Sequence, residues 1–201
     1  MNAVPTRSLI LLSLLLVAAC RDPGRDVQPM ADPLTSEATS AVETEIIPLE
    51  DVRRSQAAAV SQRVANTEIT VTYSRPVARG RELFGGIVPY GEIWNPGADQ
   101  ATAVSFTRDV QVDGRPLAAG KYSIWVIPEP GPWTVILSRA GDVYHTPYPG
   151  EALDAMRLEV EPEQGPHAEA LTFSFPYVEG KDAILRLHWG DVMVPLSIVV
   201  P

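Results

Sequence analysis

The 201-residue chain is 45% hydrophobic and carries 16 Lys and Arg against 25 Asp and Glu, for a formal net charge of -9. That length holds one globular domain with segments to spare, while the acidic balance argues against nucleic acid and anionic lipid surfaces as partners. The longest basic run is Arg53-Arg54, and the nearby Arg75, Arg79 and Arg81 are offset by Glu82 and acidic surroundings. A single cysteine rules out an intramolecular disulfide and any zinc site built on several thiolates.

The chain opens with one positive charge, Arg7, and an apolar run from Leu9 to Ala19 broken only by Ser13. A membrane-spanning helix needs about 20 apolar residues, so this run reads as an export signal. Its end, Leu16-Val17-Ala18-Ala19-Cys20, resembles the lipobox of bacterial lipoproteins. The resemblance implies a diacylglycerol thioether on Cys20, cleavage before it and acylation of the new amino terminus, which anchors the protein to a membrane without spanning it. Residue 21 is Arg rather than Asp, which favours the outer membrane, facing the periplasm, in a two-membrane organism. Residues 1–19 are thus expected to be a lipoprotein signal peptide and residues 20–61 a disordered linker rich in Pro, Ser, Thr, Ala and acids, without aromatics. Within it, Leu49 to Val64 could form a short helix, because Ala57, Ala58 and Ala59 favour one.

From residue 62 to 201 the apolar pattern has period two. Ile69, Val71 and Tyr73 alternate with polar residues up to Pro76, and Thr102, Val104 and Phe106 follow. Val110 and Val112 lead into Asp113-Gly114, a tight hairpin signal. Tyr122, Ile124 and Val126 alternate with Trp125 and Ile127, so that strand is apolar on both faces and should be central. Further strands are expected around Trp133 to Leu137, Met156 to Val160, Leu171 to Phe175, Leu185 to Trp189 and, after a turn at Gly190-Asp191, Val192 to Val200. Pro195 marks the last as an edge. The expected fold is all-β: an antiparallel β-sandwich, jelly-roll or Greek-key like, of about eight or nine strands.

The stretch Gly80-Arg81-Glu82-Leu83-Phe84-Gly85-Gly86-Ile87-Val88-Pro89-Tyr90-Gly91-Glu92-Ile93-Trp94 resembles the bacterial domain of unknown function 2911. So do Asn95 to Thr102, Leu117 to Ser123 and Trp133 to Ile136. The resemblance implies an extracytoplasmic β-domain and no assigned activity. Where the family usually reads Gly-Ala-Asn-Glu-Ala-Thr, this chain has Asp99 and Gln100, so if that glutamate were a general acid or base this chain could not use it.

The long loop from Gly80 to Gly97 carries Phe84, Tyr90 and Trp94. These rings either stack on a sugar or other flat ligand, with Asn95, Asp99 and Gln100 as hydrogen-bonding partners, or plug one end of the sandwich. Candidate ligand-binding residues are therefore Trp94, Asn95, Asp99, Gln100, His145 and Tyr148. A weaker metal site would use His145, His167 and Glu169, although no His-x-His or His-Glu-x-x-His spacing supports it. His188, between Leu187 and Trp189, points to solvent or to a neighbouring strand. With no nucleophile elbow and no phosphate-cradling glycine motif, no catalytic residue and no cofactor are expected. The leading expectation is a lipid-anchored envelope module that binds a glycan, small molecule or envelope protein. A hydrolase or metal-dependent enzyme using the loop His and Glu residues is the alternative.

Overall fold

The computed structural model describes residues 55–201. The expected signal peptide, Cys20 and most of the expected linker lie outside those residues. The described chain forms β1 (Ser55–Val64), β2 (Thr67–Pro76), β3 (Ala103–Phe106), β4 (Val110–Val112) and β5 (Arg115–Leu117). After these come β6 (Gly120–Ile127), β7 (Trp133–Ser138), β8 (Asp154–Val160), β9 (Glu163–Glu179) and β10 (Asp182–Val199). One sheet has the order β1-β2-β3-β6-β7-β8 and the other β5-β4-β10-β9, with every strand pairing antiparallel. Among the described residues no helix is long and apolar enough to cross a membrane.

The two sheets contact each other and share one core. Ile69, Val71 and Tyr73 of β2, Tyr122, Ile124 and Val126 of β6, and Leu171 and Phe173 of β9 are all buried in it. Alternate residues on each strand supply these side chains, because a pleated strand sends successive side chains to opposite faces. As the apolar pattern on both faces requires, β6 is central, between β3 and β7. Its outer face carries Trp125, which packs with Ile136 of β7 and with Ala101 in a second, smaller apolar cluster. The Asp113-Gly114 hairpin also forms, with φ of 46° and 74° joining Val112 to its partner Arg115.

Three expectations are corrected. Residues 55–61 are neither linker nor helix but most of β1, which pairs with β2 along its whole length from Ser55↔Pro76 to Val64↔Thr67. Pairing and the packing of Ala58, Val60 and Val64 on the core override the local helix propensity of the three alanines. No turn breaks the chain at Gly190-Asp191, since β10 runs through it with shifts of register on β9 either side of Gly190. Gly190 adopts φ 59°, the bulge geometry that bends a strand without ending it. Nor is β10 an edge: it lies between β4 and β9. Pro195 falls after the last β9 pair, at Met193, and before the first β4 pair, at Ile198, so its missing N–H costs no ladder bond.

Gly190→Ala should therefore destabilise the domain by about 1–2 kcal/mol, because an L side chain resists this φ and the added Cβ would stand 2.7 Å from Leu83 Cδ1. Urea unfolding of the variant measures this, and an unchanged midpoint would contradict the bulge assignment.

Candidate functional site

The connection from β2 to β3 returns repeatedly to the body of the fold. Ala78 N–H donates to Glu169 O at 2.8 Å, Gly91 N–H to Pro128 O at 2.9 Å, and Trp94 exchanges two 2.8 Å bonds with Val126. Phe84 and Trp94 are partly buried against the core. Phe84 meets Trp133 edge-on at 4.6 Å between ring centroids, and Trp94 stacks on Trp189 at 5.8 Å. These rings close one end of the two-sheet core, in line with the plug reading, whereas Tyr90 stays exposed.

Asn95 sits at the centre of this closure. It is 2% exposed, its Nδ2 donates to Ile124 O at 2.7 Å, and its Oδ1 accepts from Thr102 N–H at 3.0 Å. Thr102 Oγ1 donates in turn to Pro96 O at 2.7 Å. Gly97 packs so closely that a Cβ there would lie 2.6 Å from Thr102 Oγ1. Both ends of the Asn95 carboxamide are thus taken up within the fold.

The next residues open outward. Asp99 holds a left-handed φ of 62°, a conformation Asp tolerates better than most residues. Its carbonyl accepts from His145 N–H at 3.0 Å and from His145 Nδ1–H at 2.8 Å. Ala101 N–H donates to Val143 O at 2.9 Å, and Gln100 and Tyr144 form an isolated bridge. Residues 99–101 and 143–145 are thereby tied together, and the exposed Tyr144 ring leans on His145 at 4.5 Å. Between this ribbon and the outer face of β1 and β2 runs an open groove of about 510 Å³, whose lining includes Ala57, Ala59, Thr72, Ser74, Asp99 and Gln100. Ser74 is only 7% exposed, yet neither its hydroxyl nor the side chains of Asp99 and Gln100 hydrogen-bond to another described side chain or backbone group.

Tyr148 lies elsewhere on that face. It meets Trp125 edge-on at 5.3 Å, and its hydroxyl donates to Asp154 Oδ1. Arg157 completes this cluster with ion pairs to Asp154 at 2.6 Å and Glu151 at 3.0 Å. Burial first, and then the Asp154 carboxylate, push the Tyr148 phenol above its ordinary pKa, so it stays protonated in neutral solution.

The histidines do not converge. His167, on β9, is bracketed by Glu169 Oε2 at 3.2 Å and Asp191 Oδ1 at 2.9 Å, whereas His145 is tied to Asp99. His188 Nε2–H donates across the ladder to Pro166 O at 2.9 Å, the neighbouring-strand option. The Glu169 hydrogen bond, followed by that of Asp191, raises the His167 pKa, and Glu169 is lowered mainly by the Arg79 N–H and then by His167. Among the described residues no group of three or more His, Cys, Asp or Glu side chains is arranged to hold a metal ion.

Residues 55–198 match the family described as protein of unknown function, DUF2911. The chain belongs to the DUF2911 family. No curated protein and no solved structure matches it. The DUF2911 match begins at the first residue of β1 and ends one residue before the end of β10, so the family unit and the two-sheet fold coincide.

Within this DUF2911 domain, the candidate residues divide into three groups: Trp94 and Asn95 in the end closure, Asp99 and Gln100 in the groove with His145 behind Asp99, and Tyr148 in the Arg157 cluster. Sequence reasoning missed the groove floor of Ala57, Ala59, Thr72 and Ser74. The signal was there, as small residues two apart on what prove to be adjacent strands, but it required β1 to be read as a strand. Asn95→Ala would leave the Thr102 N–H and the Ile124 carbonyl buried without partners, at about 1–3 kcal/mol for each group. A total loss of about 3 kcal/mol is expected in urea unfolding, against less than about 0.5 kcal/mol for Asp99→Asn, whose side chain has no partner among the described residues. Equal losses in the two variants would sink this division of roles.

Proposed function

We propose that this protein is an exported, lipid-anchored envelope protein whose DUF2911 domain binds a small polyhydroxyl ligand, a sugar or glycan fragment, in the groove beside β1 and β2. The observation that carries this reading is the set of Ser74, Asp99 and Gln100, whose polar side chains line one groove without a hydrogen bond to another described residue. Asp99 and Gln100 are exposed, so water solvates them in the free protein, and a hydroxyl-rich ligand supplies the donors and acceptors that replace it. Gln100 offers an amide, Asp99 a carboxylate acceptor and Ser74 a hydroxyl, three groups able to bond sugar hydroxyls along the groove. The hydrolase alternative draws no comparable support, because His145 stands apart from the pair His167 and Glu169.

Titration of the full-length protein with mono- and disaccharides and soluble peptidoglycan fragments, followed by calorimetry, tests the groove. At least one compound should bind saturably. Gln100→Ala or Ser74→Ala should weaken it about tenfold, the loss expected for one hydrogen bond of about 1.4 kcal/mol. Silence across the panel, or affinity untouched by both variants, would overturn the reading.

The anchor rests on the lipobox ending at Cys20. Each acyl methylene buried contributes about 0.8 kcal/mol, so two or three chains would hold the protein durably at a membrane. Wild-type protein expressed in bacteria should incorporate labelled palmitate and partition into the detergent phase, and Cys20→Ser should lose the label. A variant that retained the label would refute anchoring at this residue.

A further inference from the structure

Where β1 begins and β2 ends, Ser55 and Pro76 are paired, and beside them lies a cavity of about 350 Å³ lined by Ser55, Pro76, Val77, Arg79 and Arg81. The chain is acidic overall, yet this cavity has two guanidinium groups and no carboxylate in its lining. Arg81 is fixed: Nε–H donates to Ala78 O at 2.8 Å and Nη2–H to Val77 O at 2.7 Å. Those two bonds occupy one edge of the planar fork, so the end-on pair of N–H groups, one from each Nη, has no acceptor among the described residues. Arg79 is held by its main chain alone, whose N–H donates to Glu169 Oε1 at 2.6 Å. Its guanidinium forms no ion pair with a described residue, although the Glu169 carboxylate, bonded to that N–H and to His167, lies within coulombic reach of it.

A guanidinium held by backbone carbonyls loses little freedom when it binds, and its end-on fork matches two oxygens of an oxyanion. Arg81, held in this way, and the unbonded Arg79 line one cavity, and two cations suit a dianion better than a single carboxylate. We propose that Arg79, Arg81 and the Ser55 hydroxyl form a binding site for the phosphate dianion of a phosphomonoester. This site does not depend on the groove reading, since no groove polar side chain other than Ser55 takes part in it.

Calorimetric titration of the full-length protein with inorganic phosphate, in a phosphate-free buffer at pH 7.5, should give saturable binding in the millimolar range or tighter. Acetate should bind at least tenfold more weakly. Arg79→Gln should reduce phosphate affinity about tenfold with an unchanged melting temperature, because this side chain bonds to no described residue. Arg81→Gln should reduce it further but also removes the two carbonyl bonds that hold the loop, so Arg79→Gln is the decisive variant. Dihexanoyl phosphatidic acid, titrated alongside, separates the sources: equal affinity assigns a free phosphomonoester, and a tenfold preference for the lipid assigns a headgroup. Absence of saturable phosphate binding, equal affinity for acetate, or an Arg79→Gln variant that binds as wild type would each overturn the proposal. Loss of sugar binding in Gln100→Ala with phosphate binding intact would separate the fate of the groove from that of this site.

Discussion

A main-chain amide and a main-chain carbonyl at a sheet surface must find partners once a loop covers them, and at Thr102 and Ile124 that partner is one carboxamide. Asn95 can serve both because its donor and acceptor lie side by side, a capacity that Asp or Leu of similar size lacks. Trp94 is carried into the end of the core by the same turn, and Gly97 leaves Thr102 room to cap Pro96. Only with this knot tied does the chain emerge at Asp99 aimed along the outer face of the six-stranded sheet. The position of the groove is therefore a consequence of a buried polar bridge that takes no part in lining it.

That outer face is used unevenly. On β6 and β7 it carries Trp125 and Ile136, roofed by Val143 and Tyr148, so this half of the sheet is apolar on both sides. On β1 and β2 the outward residues are Ala57, Ala59, Thr72 and Ser74, which leave a shallow channel in place of a second core. The ribbon of residues 99–101 and 143–145 divides the two halves. Large outward side chains attract a covering segment through burial, at roughly 25 cal/mol per Å² of apolar area, while small polar ones leave the surface open to ligand or water.

How much of this was legible depended on whether neighbours in sequence are neighbours in space. Most strands from β2 onward were readable because alternation of apolar residues is a local property, and the Asp113-Gly114 turn is coded in two adjacent residues, whereas the short β5 and the first half of β9 carry no such alternation and went unread. The first strand was hidden because Ala57, Ala58 and Ala59 favour helix locally, and only pairing with β2 makes them extended. Gly190 read as a turn because positive φ serves turns and bulges alike, and the difference lies in the pairing of β9 alongside. Among the site residues, Asn95 looked like a ligand donor since composition does not report burial. His145 gave no spacing signal because its contact is a carbonyl, at Asp99, that any residue type could provide.

Polar side chains in this domain sort by whether their hydrogen bonds close within the protein. Asn95, Thr102, Tyr148 and Arg157 close theirs and hold loops in place. Ser74, Asp99 and Gln100 on the groove, and Arg79 with one edge of Arg81 on the neighbouring cavity, do not close theirs among the described residues. Ser55 lines both spaces, at the first residue of β1. Neutral and acceptor groups gather on one side of it and cations on the other.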